Sequence, residues 1–285
     1  MAYASRMSDK RWVLVTGAST GIGRACVERL AADGWNVIAG VRKDGDQPSA
    51  ATAHVLVDVS DADQVEAAAK QVSELTGGRL YGLVNNAGIS VSGPFEVLSV
   101  DDYRRQFDVN FFGHLALTQL LLPMLLETKG RIVTVGSIGG RMATPFLSPY
   151  NASKFAIRGW SDAARVELAP HGVGVVLVEP GAIATEIWGK GNASAFEVLA
   201  RMSPEQGERY AKQIAGVFKV AQMVEKKAIP AAKVADAVQR SLTARKPRAH
   251  VVVGTDAKAQ AILAVLPASI RDKALAAAMR PPKES

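Results

Sequence analysis

Tyr150 and Lys154 stand four residues apart in the segment SPYNASK, and in a helix that spacing sets a phenol and an ammonium one turn apart on one face. The positive charge favours the phenolate and draws the tyrosine pKa down from about 10 toward neutrality, where a general acid or base works best. Ser148 reads as an N-cap and Pro149 as the first helical residue, so a helix is expected from Ser148 to about Ala169. Tyrosine and lysine meet at this spacing in many helices that catalyse nothing. The pair therefore takes its meaning from what the rest of the chain brings to it.

A second chemical signal lies near the N-terminus. The apolar strand Trp12 to Thr16 runs straight into GASTGIG and then into the helical pattern RACVERLAADG. In a strand, glycine turn and helix of this kind, Gly17 permits the tight turn, Gly21 lets backbone approach a pyrophosphate and Gly23 allows close helix packing. The spacing is TGxxxGxG rather than GxGxxG. A second strand, Asn36 to Val41, ends in Arg42 and Lys43 where an NAD-selective protein usually places an acid. Arg42 is suited to a ribose 2′-phosphate, so NADP(H) is expected over NAD(H); the plainer reading is a solvated loop cation.

The elements that must position these residues alternate regularly. Strands are expected at His54 to Val59, ended by Asp58, at Gly82 to Asn85, at Arg131 to Ser137, within GVGVVLVEPGAIAT, and at His250 to Gly254. Helices are expected from Ser60 and Asp63 to about Leu75, from Asp101 to Glu127 with a break near Asn110, from Pro230 to about Thr243, and after a capping Asp256. Short apolar strands each followed by a helix imply an α/β fold: one Rossmann-type doubly wound domain over residues 1–285, a parallel sheet with helices on both faces. Ligands then bind at the C-terminal ends of the strands. From Glu186 to Ile229 the pattern weakens, interrupted by Gly189, Gly191, Pro204, Gly207 and Gly216, and a mobile substrate lid is expected there. A helical extension is expected over 256–280.

Composition narrows the class. With 48% hydrophobic residues the chain has ample material for a core. The single Cys26 has no partner for an intramolecular disulfide, which fits a reducing, cytoplasmic setting and a packing role. No membrane span or signal peptide is evident, and the apolar run Phe111 to Leu126 is broken by Gly113, His114, Thr118, Gln119 and Pro123, as in a buried or interface helix. Net charge is +7 with the surplus in residues 190–285, 17 Lys+Arg against 8 Asp+Glu. That surplus is compatible with peripheral association with an anionic surface, though scattered surface lysines explain it as well. No motif supports nucleic-acid binding, and the four histidines lack metal-ligand spacing.

Taken together, the ordered motifs resemble the short-chain dehydrogenase/reductase family in its shorter form, over about residues 11 to 254: TGASTGIG at Thr16 to Gly23, DV at Asp58 and Val59, NNAG at Asn85 to Gly88, Asn110, Ser137, YNASK at Tyr150 to Lys154, and PG with Thr185. The resemblance implies a seven-stranded sheet. It implies Tyr150 as acid/base, Ser137 as hydrogen-bond partner of the substrate oxygen, Lys154 on the nicotinamide ribose and Asn110 holding a water of a proton relay. It further implies cofactor contacts at Gly17, Ser19, Gly21, Ile22, Gly23, Arg42, Asp58, Val59, Asn86, Ala87, Gly88, Tyr150, Lys154, Pro180, Gly181, Ile183 and Thr185, no metal, and a homodimer or homotetramer. Taken alone, Ser137 and Asn110 also read as a turn hydroxyl and a helix-breaking amide.

The segments VIAGVRK and YNASKFAIRGWSDAARVEL and the tail HVVVGTDAKAQAILAVLP look like the 17β-hydroxysteroid and retinol dehydrogenase-like branch, which implies a lipophilic alcohol or ketone. Ile187, Trp188, Phe196, Leu199, Met142 and Phe146 either line an apolar pocket for it or belong to ordinary core. The expected protein is an NADP(H)-dependent oxidoreductase acting on a small-molecule alcohol or carbonyl; the competing class is a non-catalytic NADP-sensing regulator, which would have no need of Ser137, Tyr150 and Lys154 together.

Overall fold

The computed structural model describes residues 11–185 and 194–278. Seven parallel strands form one sheet: β1 (Trp12–Thr16), β2 (Asn36–Val41), β3 (Ala53–Leu56), β4 (Leu80–Asn85), β5 (Arg131–Val135), β6 (Gly174–Pro180) and β9 (His250–Val253), in the spatial order β3-β2-β1-β4-β5-β6-β9. The chain moves outward from β1 to β3 and returns to lay β4 on the other side of β1, so the strand order reverses between β1 and β4 and a crevice opens at their C-terminal ends. Two further short strands, β7 (Ile183–Ala184) and β8 (Ile229–Pro230), pair separately.

Strand periodicity builds two cores. Val13 and Val15 point to one face of β1, where they pack with Val27 and Leu30 of α1 (Gly21–Ala32) and Val234, Val238 and Leu242 of α7 (Ala232–Thr243). Leu14, between them, points to the other face, where Val65 and Val72 of α2 (Ala62–Thr76) meet Leu117, Leu121 and Leu125 of α4 (Gly113–Thr128). Each such side chain, wholly buried, contributes about 1.5–3 kcal/mol of transfer free energy. The helical run Val100–Thr128, made of α3 (Val100–Phe107), a π-helical segment Asp108–Phe112 and α4, is long and apolar enough to cross a membrane by length and composition. Its Leu117, Leu121 and Leu125 are instead fully buried against the sheet, the position of a core helix.

The break expected near Asn110 is this π-helical segment. Other local readings change. Strand β3 ends at Leu56, with Val57 N still donating to Val41 O at 2.8 Å; beyond it the Asp58 N–H turns to Gln64 Oε1 and the Asp58 carboxylate accepts from Ser60 N at 3.0 Å. Asp61, not Ser60 or Asp63, caps α2, accepting from Gln64 N at 3.1 Å. Helix α5 (Ser148–Leu168) has Leu147 at its N-cap; Ser148 is already helical, and its hydroxyl pairs with that of Tyr103 at 2.7 Å. Gly207 and Gly216 interrupt nothing: α6 (Pro204–Lys226) is one continuous helix opened by a Ser203–Gln206 capping box with Pro204 at its start. Pro230 belongs to β8, one residue short of the helix it was expected to open. Asp256 lies within α8 (Thr255–Leu263) and its carboxylate accepts from Ala182 N at 2.8 Å instead of capping the helix. A final helix, α9, spans Ala268–Ala278.

Candidate active site

The turn after β1 has its glycines where side chains are impossible. Gly17 and Gly21 lie at φ 62° and 55°. A Cβ at Gly23 would overlap the Gly17 carbonyl and approach Asn86 Nδ2 to 2.6 Å, so Gly23 serves the closure of the turn on itself rather than helix-to-sheet packing. Asn86 locks the turn to the end of β4: its Nδ2 donates to Thr16 O at 2.9 Å, while its own N–H and that of Ala87 donate to Thr16 Oγ1 at 3.0 and 3.1 Å. Thr20 at the α1 N-cap provides no side-chain cap, leaving the first N–H groups of the helix directed at the crevice, a setting that favours phosphate.

Arg42 is exposed at the end of β2 and lines the same crevice, and its guanidinium has no hydrogen-bond or ion-pair partner among the described residues. Asp58 and Val59 face it from the end of β3, the Asp58 carboxylate being held by the Ser60 hydroxyl at 2.6 Å. Gly88 and Ile89 follow Ala87 along the wall.

Asn110, fully buried, is spent on structure. Its Oδ1 accepts from Ile89 N at 2.9 Å, and its Nδ2 donates to Ile89 O at 3.1 Å and to Ser153 Oγ at 3.3 Å. Both amide hydrogens are thus spent on protein, and Oδ1 keeps one acceptor site beyond its bond from Ile89. His114, given no role by sequence, pairs its Nε2 with Ala87 O at 2.7 Å. Burial, with the Lys154 ammonium nearby, pushes its pKa down to about 3. Nothing in its spacing from the other histidines signals this.

Ser137 ends the passage from β5 and starts a 3-10 turn, Ile138–Gly140, with its Oγ accepting from Gly139 N at 3.0 Å. The turn presses on α5: a Cβ at Gly140 would come within 2.6 Å of Lys154 O, and one at Gly139 within 3.3 Å of Tyr150 Cε1. Lys154 is buried, donates Nζ to Val135 O at 3.0 Å, and sits 5.7 Å from the Tyr150 ring centroid. Burial lowers the Lys154 pKa to about 8. The expected depression of Tyr150 is not found: loss of solvent raises its pKa, and the nearby Ser137 hydroxyl opposes that rise. Position explains the difference, because the ammonium is anchored on a β5 carbonyl.

Pro180, Gly181, Ile183 and Thr185 form the far wall. Side-chain space at Gly181 is taken by the Asp256 carboxylate, and Thr185 Cβ would lie 3.1 Å from a Cβ at Gly21, so this wall closes on the glycine turn. One cavity of about 650 Å³ runs from Arg42 past Ser137, Tyr150 and Lys154. It reaches every sequence-derived site residue except Gly23, which lies behind the turn. Beyond Tyr150 it is walled by Met142, Phe146, Leu199 and the α6 residues Ile214, Phe218 and Val224. Phe196 stacks on Phe218 with ring centroids 5.9 Å apart and stays exposed. Ile187 and Trp188 lie outside the described residues.

Residues 11–195 match the short chain dehydrogenase family. The chain is 36% identical to the NADPH-dependent 3-dehydrocapnine reductase of Ornithobacterium rhinotracheale over 85% of its own length and 88% of the relative's. It is 35% identical to retinol dehydrogenase 16 of Homo sapiens, over 89% of this chain and 83% of that one. Among solved structures, a short chain dehydrogenase from Burkholderia cenocepacia in complex with NADP superposes with a TM-score of 0.70 at 28% identity, over 96% and 98% of the two chains.

Proposed function

The chain belongs to the short chain dehydrogenase family, and from that premise we propose that it is an NADP(H)-dependent oxidoreductase interconverting a secondary alcohol and a carbonyl on a lipophilic, steroid- or retinoid-like, or other small hydroxyl or keto substrate. The observation that carries the reading is the convergence of Ser137, Tyr150 and the buried Lys154 on one cavity, where the crevice opens into an apolar chamber. Support for the cofactor comes from Arg42, a guanidinium with no described partner at the mouth of the adenosine-side crevice, and from the NADPH dependence of the Ornithobacterium relative.

The dinucleotide supplies a hydride when bound, held by the open α1 N-terminus, with Arg42 on its 2′-phosphate and Lys154 on its ribose. The chain's own residues manage the oxygen and its proton. Ser137 and Tyr150 hydrogen-bond the substrate carbonyl, and Tyr150 gives its proton to that oxygen as the carbon is reduced. A phenol whose pKa is held up, not drawn down, keeps the proton for that donation. Asn110, clamped to Ile89 and Ser153 and lining the same cavity, would hold the water of a proton relay beyond Lys154 through its remaining acceptor.

Helix α6 and the residues before it, within the expected lid of 186–229, would shape the chamber for the substrate, and the 256–278 region would close its outer end through Gln260 and Leu275. Exposed Phe112, Leu120, Phe155 and Val166 on the π-helical segment, α4 and α5 support contact between copies in a cytoplasmic homo-oligomer, which sedimentation would detect and a strictly monomeric chain would refute. The function itself is tested by loss of NADPH absorbance with a panel of lipophilic ketones and aldehydes. Turnover that Tyr150→Phe abolishes supports the reading; an equally active variant overturns the mechanism.

A further inference from the structure

Outside the reacting groups, the most heavily engaged charge among the described residues is Glu179, a carboxylate of β6 with no exposed surface. Arg141 approaches it as a fork, Nε donating to Oε1 at 2.8 Å and Nη2 to Oε2. Arg158 Nη1 donates to Oε1 at 2.7 Å, and His250 Nδ1 faces Oε2 at 3.2 Å. The other ring nitrogen of His250 faces Asp162 Oδ1 at 2.8 Å, and Asp162 in turn receives Arg165 at 3.1 Å.

What these partners are attached to gives the cluster its meaning. Arg141 follows the 3-10 turn that Ser137 opens, and its own N–H donates to Ile138 O at 2.9 Å. Arg158 lies on α5 four residues beyond Lys154 and eight beyond Tyr150, on the same face of the helix. Glu179 immediately precedes Pro180 and Gly181 of the far wall. One carboxylate therefore joins the turn carrying one hydroxyl, the helix carrying the other, and the strand end beside both. The turn and the helix are already in contact at Gly139 and Gly140, which leaves no slack between them.

We infer that Glu179 is a positioning residue for proton transfer, setting the Ser137 hydroxyl toward Tyr150 by fixing the 3-10 turn through Arg141 and α5 through Arg158. The inference rests on the reading of Ser137 and Tyr150 as the pair that handles the substrate oxygen. A guanidinium fork constrains both distance and angle, which a single ammonium contact does not. A shift of about 1 Å in such a pair is enough to lower a rate on the order of a hundredfold. The polar groups facing Tyr150 are the Ser137 hydroxyl, which favours its ionisation, and the Lys154 ammonium anchored on Val135, beside which His114 is held neutral.

The experiment uses the full chain, with Arg141→Lys as the mild variant and Glu179→Gln as the severe one. Four quantities are followed: kcat, NADPH affinity, the pH midpoint of alcohol oxidation, and the ionisation of Tyr150 read as tyrosinate absorbance by difference against Tyr150→Phe. In Arg141→Lys, which keeps the charge, kcat should fall roughly ten- to a hundredfold while NADPH affinity stays within about twofold. Both the pH midpoint and the Tyr150 ionisation should move upward, because a Ser137 hydroxyl set farther from the phenol favours the phenolate less. Glu179→Gln should move the same quantities further, if it folds. A folded Arg141→Lys with unchanged kcat and an unchanged Tyr150 ionisation overturns the inference, and so does a parallel loss of kcat and NADPH affinity with the ionisation unmoved. Absence of turnover in the wild-type chain, with the Tyr150 ionisation still shifting in Arg141→Lys, refutes the proposed reaction and leaves the positioning role standing.

Discussion

Asn110 grips both main-chain polar groups of Ile89, accepting from its N–H at 2.9 Å and donating to its carbonyl at 3.1 Å. An amide can do both, and Asn110 itself has no exposed surface. Asn110→Asp would keep the acceptor and set a second oxygen against the Ile89 carbonyl. The expected cost is about 2–3 kcal/mol of unfolding free energy, measured as a lower urea midpoint at unchanged slope. A midpoint equal to that of the wild type would show that the clamp is dispensable.

Arg42 tests cofactor choice. Charge-assisted hydrogen bonds to a 2′-phosphate contribute about 1.5–3 kcal/mol, so Arg42→Ala should weaken NADPH by roughly ten- to a hundredfold. NADH, which carries a hydroxyl there, should change by no more than about threefold. Fluorescence titration of both dinucleotides reads the ratio directly, and a ratio unaltered by the substitution removes Arg42 from the site.

The parts of this molecule legible in its sequence are those where backbone geometry restricts residue type or where periodicity is strong. The glycine turn announces itself because Gly17 and Gly21 need positive φ, and the strands do so through short unbroken apolar runs such as Val13, Leu14 and Val15, buried on both faces. Tyr150 and Lys154 follow from helical spacing. Partner identity is less visible. Nothing in the spacing of Asn110, His114 or Glu179 reveals that their partners are Ile89, Ala87 and Arg141, since those contacts join residues from 21 to 38 positions apart. The continuity of α6 is hidden for another reason: Gly207 and Gly216 cost only about 1 kcal/mol each, which a helix this long, opened by a capping box, absorbs without breaking. The same limit applies to the Tyr150 pKa, where charge spacing suggests a fall and burial produces a rise.

Two glycines should respond in opposite directions. Gly23→Ala forces a methyl into the Gly17 carbonyl and the Asn86 amide, an overpacking expected to cost at least about 1–3 kcal/mol and to disturb the turn that receives phosphate. NADPH affinity should fall with it. Gly207 lies inside α6 with open space around it, so Gly207→Ala should raise stability by about 0.5–1 kcal/mol. Thermal melts of the two variants, with NADPH titration of each, check both halves; a stabilised Gly23→Ala would contradict the closeness of the turn.

His114 supplies a pH dependence of known sign. Its pKa falls from 6.5 to about 3 in the folded chain, chiefly because burial disfavours the charged ring and secondarily because Lys154 repels it, against a smaller opposing effect of the Ala87 carbonyl. Above 6.5 the ring is neutral in both the folded and the unfolded chain, so the group adds no pH dependence there. Below 6.5 the unfolded chain binds a proton that the folded chain refuses, and stability declines until the pH reaches about 3. The slope is about 1.4 kcal/mol per pH unit within that window. His114→Gln retains a donor for Ala87 O without a titrating group, so its stability should decline less steeply than the wild type's between pH 6 and 4. Urea unfolding at a series of pH values gives the difference between the two slopes. Parallel curves would mean that His114 titrates alike in the folded and unfolded chains, contrary to its burial against Ala87.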